Sequence, residues 1–353
     1  MSLNTLRKKI DGIDKNLIKL LNARVDVAKS IAKKKLKSGK SVYSPDREFE
    51  VLKKISSINK GPLSSEALEA IYREIMSSSL SIVKSLKVAY MGPQASFSNL
   101  AAIKRFGSQV DYVPCETIND VFLEVEKDCA DFGVVPIENS IEGAISYTLD
   151  MFVDSDLKIC SQVTLDVSHN LLSKFTKDKI KRVYSNPQVF GQCKEWLREN
   201  FGGIEKIEVS STTRAAQIAA REKNSACIAS ILAAKIYKLN ILARDIEDSP
   251  HNITRFFVIG KTSVNATKHS KTSILFSIKD RVGALYEMLA SFKKYHINLT
   301  KIESRPSKKK AWDYYFYLDL EGHCDNLVVK KALLELEKKC KFLKILGSYP
   351  IGE

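Results

Sequence analysis

Residues 250–260, PHNITRFFVIG, place a hydroxyl, Thr254, and a fixed positive charge, Arg255, at the mouth of an apolar run, 256–259. The run reads as a buried strand, and Ser249-Pro250 and Asn252 before it are turn formers. Such a junction holds side chains on a rigid sheet while the loop admits a substrate. A hydroxyl and a fixed positive charge held at such a junction are well placed for chemistry. Taken alone, the pair also reads as a strand cap and a solvated ion-pair partner. Four more polar clusters fall at strand ends: Ser96-Phe97-Ser98, Glu138-Asn139-Ser140, Ser185-Asn186 and Ser211-Thr212-Thr213. Each alone could be a helix N-cap. Five at comparable places predict a common cleft outside the carboxyl ends of the strands.

A second constellation lies near the N-terminus. Leu3, Leu6, Ile10, Ile13, Leu17, Leu20, Val27 and Ile31 alternate by threes and fours, the seam of one long helix. Arg24 occupies a seam position, and a charge there is costly unless paired. Lys35 follows eleven residues later, which puts both cations on one stripe roughly 16 Å apart, able to bracket an anion. Arg24 also reads as a register-setting polar residue in a coiled coil. One long helix cannot cover its own seam, so an intertwined dimer is expected.

The elements that position these groups fall into three segments. Residues 1–86 predict the long helix, a turn at 37–41, a second helix opened by Ser44-Pro45-Asp46 with Arg47 and Glu48 in its first turn, and a break at Gly61-Pro62. A third helix follows, with Ser79 on its apolar line. Residues 87–262 alternate strands and helices, which predicts an α/β region with a mostly parallel sheet. Residues 158–172 predict a crossover between two lobes. The polar stretch 261–271 reads as a linker. Residues 272–353 run strand, helix, strand, strand, helix, strand, the ferredoxin-like α+β order.

Composition bounds the reading. The chain has 353 residues, enough for two or three domains. A net charge of +15 suits anionic ligands, either nucleic acid or small carboxylates. The seven cysteines form no CxxC pair and no ligand spacing with His, which argues against structural zinc and against a disulfide framework. With no apolar leader and no run long enough to span a bilayer, the expectation is a cytoplasmic protein without a membrane partner.

Residues 1–86 resemble the all-helical chorismate mutase family. The family's arginine in the opening LR-x-x-I pattern matches Arg7, its mid-helix arginine Arg24 and its lysine after K-x-K Lys35. Its Arg-Glu pair after a proline matches Arg47 and Glu48, and its third-helix serine Ser79. The resemblance implies that arginines clamp the substrate carboxylates, Lys35 faces the ether oxygen, Glu48 receives the substrate hydroxyl, and Arg7 reaches the partner chain's site. Ser44 stands where the family often has Asp, and Val83 where it usually has a Gln or Glu donor. The central segment resembles prephenate dehydratases through GPQASFS, VPIENSIEG, SNPQVFGQC, SSTTRAA and NITRF. That implies two lobes like periplasmic binding proteins and a cleft taking prephenate to phenylpyruvate without metal or cofactor. Thr254 would act at the leaving group and Arg255 on a carboxylate, with Ser96, Phe97, Asn139, Ser140, Thr212 and Phe256 lining the cleft. Residues 280–285 and 303–306 match the GAL and ESRP motifs of ACT domains fused to dehydratases. They imply phenylalanine bound between paired modules by Gly283, Ala284, Leu285, Glu303, Ser304, Arg305 and Pro306. Ser-Lys-Lys-Lys at 307–310 reads as a solvated turn.

The order of segments resembles the bifunctional chorismate mutase/prephenate dehydratases of phenylalanine biosynthesis, expected as homodimers or higher homo-oligomers. Arogenate stays open as a second dehydratase substrate. Two other readings remain: a dehydratase whose N-terminal helices only dimerise it, and an effector-sensing transcription regulator. A long first helix with Arg24 in its seam speaks against nucleic-acid binding, which wants its arginines on an exposed face.

Overall fold

Three helices open the chain: α1 (Leu3–Lys37), α2 (Pro45–Ile58) and α3 (Ser65–Val83). The computed structural model describes residues 1–38, 42–279, 281–308 and 313–351. The turns expected at 37–41 and 307–310 lie partly outside these residues, as does Asp280. Ser2 and Ser64 cap α1 and α3, accepting from the amides of Thr5 and Ala67. Ser44 holds the N-cap position of α2, with Pro45 next, but its hydroxyl makes no capping bond. It takes a hydrogen bond from Lys35 instead. The N-terminal apolar seam, Leu6, Ile10, Leu17 and Ile31 among it, is exposed in the single chain. Residues Met1–Lys87 and Arg105–Asp111 form one compact unit.

The rest of the chain from Val88 forms the second unit. Its elements run β1 (Lys87–Met91), α4 (Phe97–Phe106), β2 (Asp111–Cys115), α5 (Ile118–Glu126), β3 (Phe132–Asn139), β4 (Gly143–Ala144), α6 (Ser146–Asp154) and β5 (Lys158–Asp166). The second lobe follows: β6 (Asn170–Ser173), β7 (Arg182–Ser185), α7 (Pro187–Gln192), α8 (Lys194–Phe201), β8 (Glu205–Glu208), α9 (Thr212–Ala219), β9 (Ser225–Ala229), α10 (Ile231–Tyr237) and β10 (Asn240–Ala243). The chain returns through β11 (Ile253–Gly260). It ends in β12 (Ser270–Ser277), α11 (Ala284–Lys294), β13 (Leu299–Pro306), β14 (Tyr314–Glu321), α12 (Leu327–Lys339) and β15 (Phe342–Pro350).

The first lobe's sheet has the order β2-β1-β3-β11-β5, with β4 on β3, and the second lobe's the order β10-β6-β9-β7-β8. The expectation of a mostly parallel sheet is corrected. β1 and β3 are parallel, as are β7 with β8 and β9, but β11 is antiparallel to both β3 and β5, and β6 to both β9 and β10. The cause is the lobe crossover: β11 re-enters the first sheet from the far lobe and runs against its neighbours. The crossover itself falls between β5 and β6.

The third sheet, β13-β14-β12-β15, is antiparallel throughout. It shares a hydrophobic core with the first lobe. Phe122, Phe152, Ile159 and Phe257 pack in one cluster with Leu275, Tyr317, Leu346 and Tyr349. A Cβ on Gly347 would lie 2.2 Å from the Ile159 carbonyl oxygen, so no other residue allows this approach of β15 to β5. Lys158 and Lys344 cross the join, donating to the carbonyls of Ile345 and of Val153 and Ser155.

Candidate active sites

In the helical unit, Arg24 and Lys35 share the stripe that the eleven-residue spacing requires, with Ala28 and Ala32 between them. Arg24 Nη1 donates to Ser79 Oγ at 3.2 Å, and Ser79 donates on to Ile75 O at 2.7 Å. Lys35 Nζ donates to Val42 O at 3.0 Å and to Ser44 Oγ. Ala32 is buried and Ala28 half-buried. Glu48 accepts from Tyr43 Oη at 2.7 Å and from Arg105 at 2.8 Å. Arg47 turns outward to Glu50, and Arg7 is exposed, so neither joins Arg24 within one chain. Sequence reasoning missed Tyr43 and Arg105.

In the two-lobed unit, Thr254 is buried at the start of β11, paired in register with Asn139 at the end of β3. Asn139 Nδ2 donates to Thr254 Oγ1 at 2.8 Å and to Asn252 Oδ1 at 2.7 Å. Its own carbonyl caps the turn at 140–142, accepting from the amides of Ile141 and Glu142. Ser140 fastens the same corner, donating to His251 O at 2.7 Å and accepting from Ile253 N. Asn252 Nδ2 continues to Gln192 Oε1, which also meets His169 Nε2 at 2.8 Å. The chain of bonds therefore runs from β11 to the helix α7 of the second lobe and to the crossover. Because Gln192 offers an oxygen, His169 carries its proton on Nε2, and burial holds its pKa below the ordinary 6.5. Phe97 stacks edge-on against the His169 ring.

Ser96 and Thr212 mark the starts of α4 and α9. Ser96 Oγ caps α4, accepting from Asn99 N, and also donates to Met91 O. Ser211 caps α9 and Asn186 caps α7. Ala95 holds φ +72°, the left-handed region that favours glycine. Its carbonyl is fixed by Ser230 Oγ at 2.9 Å. Phe256 lies within the core.

Arg255 departs from expectation. Successive strand residues face opposite ways, so it points away from Thr254. Its guanidinium donates to Asp319 Oδ2 at 2.8 Å on β14 and to Glu138 Oε2 at 2.9 Å. Burial pulls its pKa down, but Asp319, Tyr349 and Glu138 outweigh burial and raise it. The guanidinium is thus committed within the chain, and the substrate carboxylate it was expected to bind finds it occupied. His169, Gln192 and Asn252 were not selected from sequence, although Gln192 and Asn252 lie within motifs quoted there.

In the third sheet's module, Gly283, Ala284 and Leu285 line a cavity of about 250 Å³ with Arg281, Tyr286 and Phe316. Gly283 has φ +77°. Glu303, Ser304, Arg305 and Pro306 lie along the edge strand β13, outside that lining. Arg305 and Lys308 pair with Asp150 of α6. Burial raises the Asp150 carboxyl's pKa, and bonds from these two cations outweigh it and bring it below its ordinary value. His323, Cys324 and Asp325 bring ligand-type atoms together. Both ring nitrogens of His323 are taken, however, by Val264 O at 2.9 Å and the Asp325 amide at 3.1 Å. No helix among the described residues is long and apolar enough to cross a membrane.

Three family models match in order: chorismate mutase type II over residues 6–84, prephenate dehydratase over 88–264 and the ACT domain over 272–338. A bifunctional chorismate mutase/prephenate dehydratase of Aquifex aeolicus is 50% identical over 353 residues, 99% of this chain and 98% of that one. Among solved structures, a prephenate dehydratase from Arthrobacter aurescens in complex with L-Phe has a TM-score of 0.69 at 30% identity, covering 75% of this chain and 90% of that one. A chain described as GqqA, a novel type of quorum quenching acylase, has a TM-score of 0.70 at 27% identity, covering 75% of this chain and 98% of that one. Fold and sites define a fused enzyme with an appended ligand-binding module. The chain belongs to the bifunctional chorismate mutase/prephenate dehydratase family.

Proposed function

We propose that the chain carries out two consecutive steps of phenylalanine biosynthesis under feedback by phenylalanine. The helical unit rearranges chorismate to prephenate, and the two-lobed cleft converts prephenate to phenylpyruvate, CO2 and water. The first step needs no nucleophile and no proton transfer. Arg24 holds a carboxylate, Lys35 points a donor at the ether oxygen, and Ser44 and Ser79 hold the two cations in place, whereas Arg47, paired with Glu50 at the surface, takes no substrate contact within one chain. Glu48 receives the ring hydroxyl. Arg7 serves the site of a partner chain, and the exposed apolar seam of α1 supports a homodimer.

In the second step the ring carboxylate leaves as CO2. Its bonding pair enters the ring, and the carbon–oxygen bond to the ring hydroxyl breaks. One observation carries the assignment of Thr254: Asn139 donates to its oxygen. Thr254 then directs its own O–H into the cleft, where it donates a hydrogen bond to the departing hydroxyl; this leaves as hydroxide and takes a proton from solvent to become water. The N-terminal ends of α4 and α9, beside Ser96 and Thr212, favour the substrate carboxylates. Arg255 supports the strand rather than the substrate. Phenylalanine binds at Gly283, Ala284 and Leu285 of one module and the 303–306 strand of a second copy. Seven free cysteines support a reducing, cytoplasmic setting. The test is to incubate the pure protein with chorismate and follow both products. Prephenate should pass through a maximum as phenylpyruvate rises, and chorismate left unconsumed would overturn the mutase half.

A further inference from the structure

One cation of the helical unit comes from outside its three helices. Arg105 stands near the end of α4 and belongs to the same compact unit as α1, α2 and α3. Its Nη1 pairs with Glu48 Oε2 at 2.8 Å, with the side chains 13% and 10% exposed. Tyr43 Oη donates to the same oxygen at 2.7 Å. The guanidinium also lies over the Tyr43 ring, 5.8 Å from its centroid, and Tyr43 packs on Phe106 at 5.3 Å.

The chain after Arg105 is fixed to α3. Gly107 has φ +78°, and a Cβ there would stand 2.6 Å from Ser77 Cβ. The Ser108 amide and hydroxyl donate to Glu74 at 3.0 and 2.7 Å, and the Gln109 amide to Ser77 Oγ at 3.2 Å. Arg105 is therefore delivered to Glu48 by a pinned segment. A carboxylate this far from water needs a cation beside it, and a planar guanidinium also fixes its orientation. Among the described residues both bonds fall on Oε2, which leaves Oε1 as the acceptor for a ligand.

We infer that Arg105 is a positioning residue of the mutase reaction, holding Glu48 so that Oε1 receives the ring hydroxyl of chorismate. The inference rests on the role proposed for Glu48. That hydroxyl changes no bond in the rearrangement, so its contact is the same in ground state and transition state. Loss of such a contact raises KM and spares kcat. A merely structural role would act the other way, lowering the working fraction of protein and hence kcat, with KM unchanged.

The experiment measures chorismate kinetics in full-length Arg105→Ala, Arg105→Lys, Glu48→Gln and the Glu48→Gln, Arg105→Ala double variant. The prephenate dehydratase rate of each preparation serves as the folding control. Arg105→Ala should raise KM for chorismate about tenfold or more, the worth of one charge-assisted contact, with kcat nearly kept. Arg105→Lys should recover part of the loss. The double variant should be no worse than Glu48→Gln, because Arg105 acts through Glu48. If Arg105→Ala also loses dehydration, Arg105→Gln carries the same expectation. An unchanged KM in Arg105→Ala, with KM raised in Glu48→Gln, overturns the inference and leaves the role of Glu48 standing. An unchanged KM in Glu48→Gln overturns both.

Discussion

Arg255, one residue along the strand from Thr254, gives its Nη1 to Asp319 of the C-terminal sheet at 2.8 Å. The two side chains are 14% and 7% exposed. Asp319 is itself held by Ser273 Oγ, which also meets the hydroxyl of buried Tyr349. The sheet of the ACT module thus grips the strand that carries Thr254, the hydroxyl proposed to act in catalysis. An effector acts only by favouring one conformation over another, and a rigid link of this kind is a means of transmitting the preference.

Asp319→Asn should weaken this grip. Arg255 would keep Glu138 and lose its more buried partner, at a cost of about 2 kcal/mol in unfolding free energy. Phenylalanine should then inhibit dehydration less steeply at matched concentrations. Denaturant unfolding and a phenylalanine titration of phenylpyruvate formation measure the two effects. A wild-type inhibition curve in Asp319→Asn would remove the link from the regulatory route.

Thr254→Val keeps the shape of the side chain and deletes its proton donor. Turnover of prephenate should fall by about two to three orders of magnitude, with little change in KM or in the unfolding transition. Thr254→Ser should keep a measurable part. Asn139→Ala should lower kcat as well, since it frees Thr254 to turn its proton inward. Steady-state kinetics with prephenate decide this, and full turnover by Thr254→Val would exclude the hydroxyl.

Arg24→Ala and Lys35→Ala should abolish chorismate consumption while prephenate dehydration persists, because the two chemistries use different side chains. Each loss removes a charge-assisted contact to the substrate. Val83→Gln adds a second donor one turn beyond Ser79 and should raise the mutase rate. Parallel assays on one preparation check all three.

Much of this was legible in the sequence because it rests on short-range periodicity. The spacing of Arg24 and Lys35 and the strand after Arg255 follow from helix and strand geometry alone. The ACT-like order of elements followed from alternation and turn residues, with element ends within a few residues. What stayed hidden depends on contacts distant in sequence. Arg255 looked like a substrate clamp because nothing local shows Asp319, 64 residues away, arriving at its guanidinium. His169 lies in the crossover, where no periodic pattern marks a residue. Nothing local marks Arg105, because its partner Glu48 is distant in sequence and only the fold brings the two together. The antiparallel entry of β11 likewise follows from topology, which hydrophobic runs do not encode.

His169 predicts a pH effect with a definite sign. Burial depresses its pKa below 6.5 in the folded chain, whereas the unfolded chain keeps the ordinary value. Between the two values the unfolded state binds the proton and the folded state does not, so stability falls as pH drops below the ordinary value. His169→Gln keeps a donor and loses the titration. The stability advantage of wild type over this variant should therefore shrink between about pH 7.5 and about pH 5.5. Unfolding measurements at both values test it, and a gap independent of pH would show that His169 does not titrate in that window.

The last prediction concerns phenylalanine. Gly283 has φ +77°, and a Cβ on it would meet nothing within 4 Å in the chain itself. A substitution there costs about 1 kcal/mol of backbone strain but causes no clash within the module. A larger side chain would instead project into the space in front of the backbone, where the cavity beside Ala284, Leu285 and Phe316 is proposed to take the effector. Gly283→Leu should therefore lose phenylalanine inhibition while basal dehydration stays near wild type, Thr254 and Asn139 being untouched. Because the proposed effector site lies between paired modules, the wild-type response should also depend on protein concentration near the dissociation range of the dimer. Phenylalanine binding by calorimetry, alongside inhibition of phenylpyruvate formation, separates loss of binding from loss of coupling. Undiminished inhibition of Gly283→Leu would move the effector out of the C-terminal module and into the catalytic cleft.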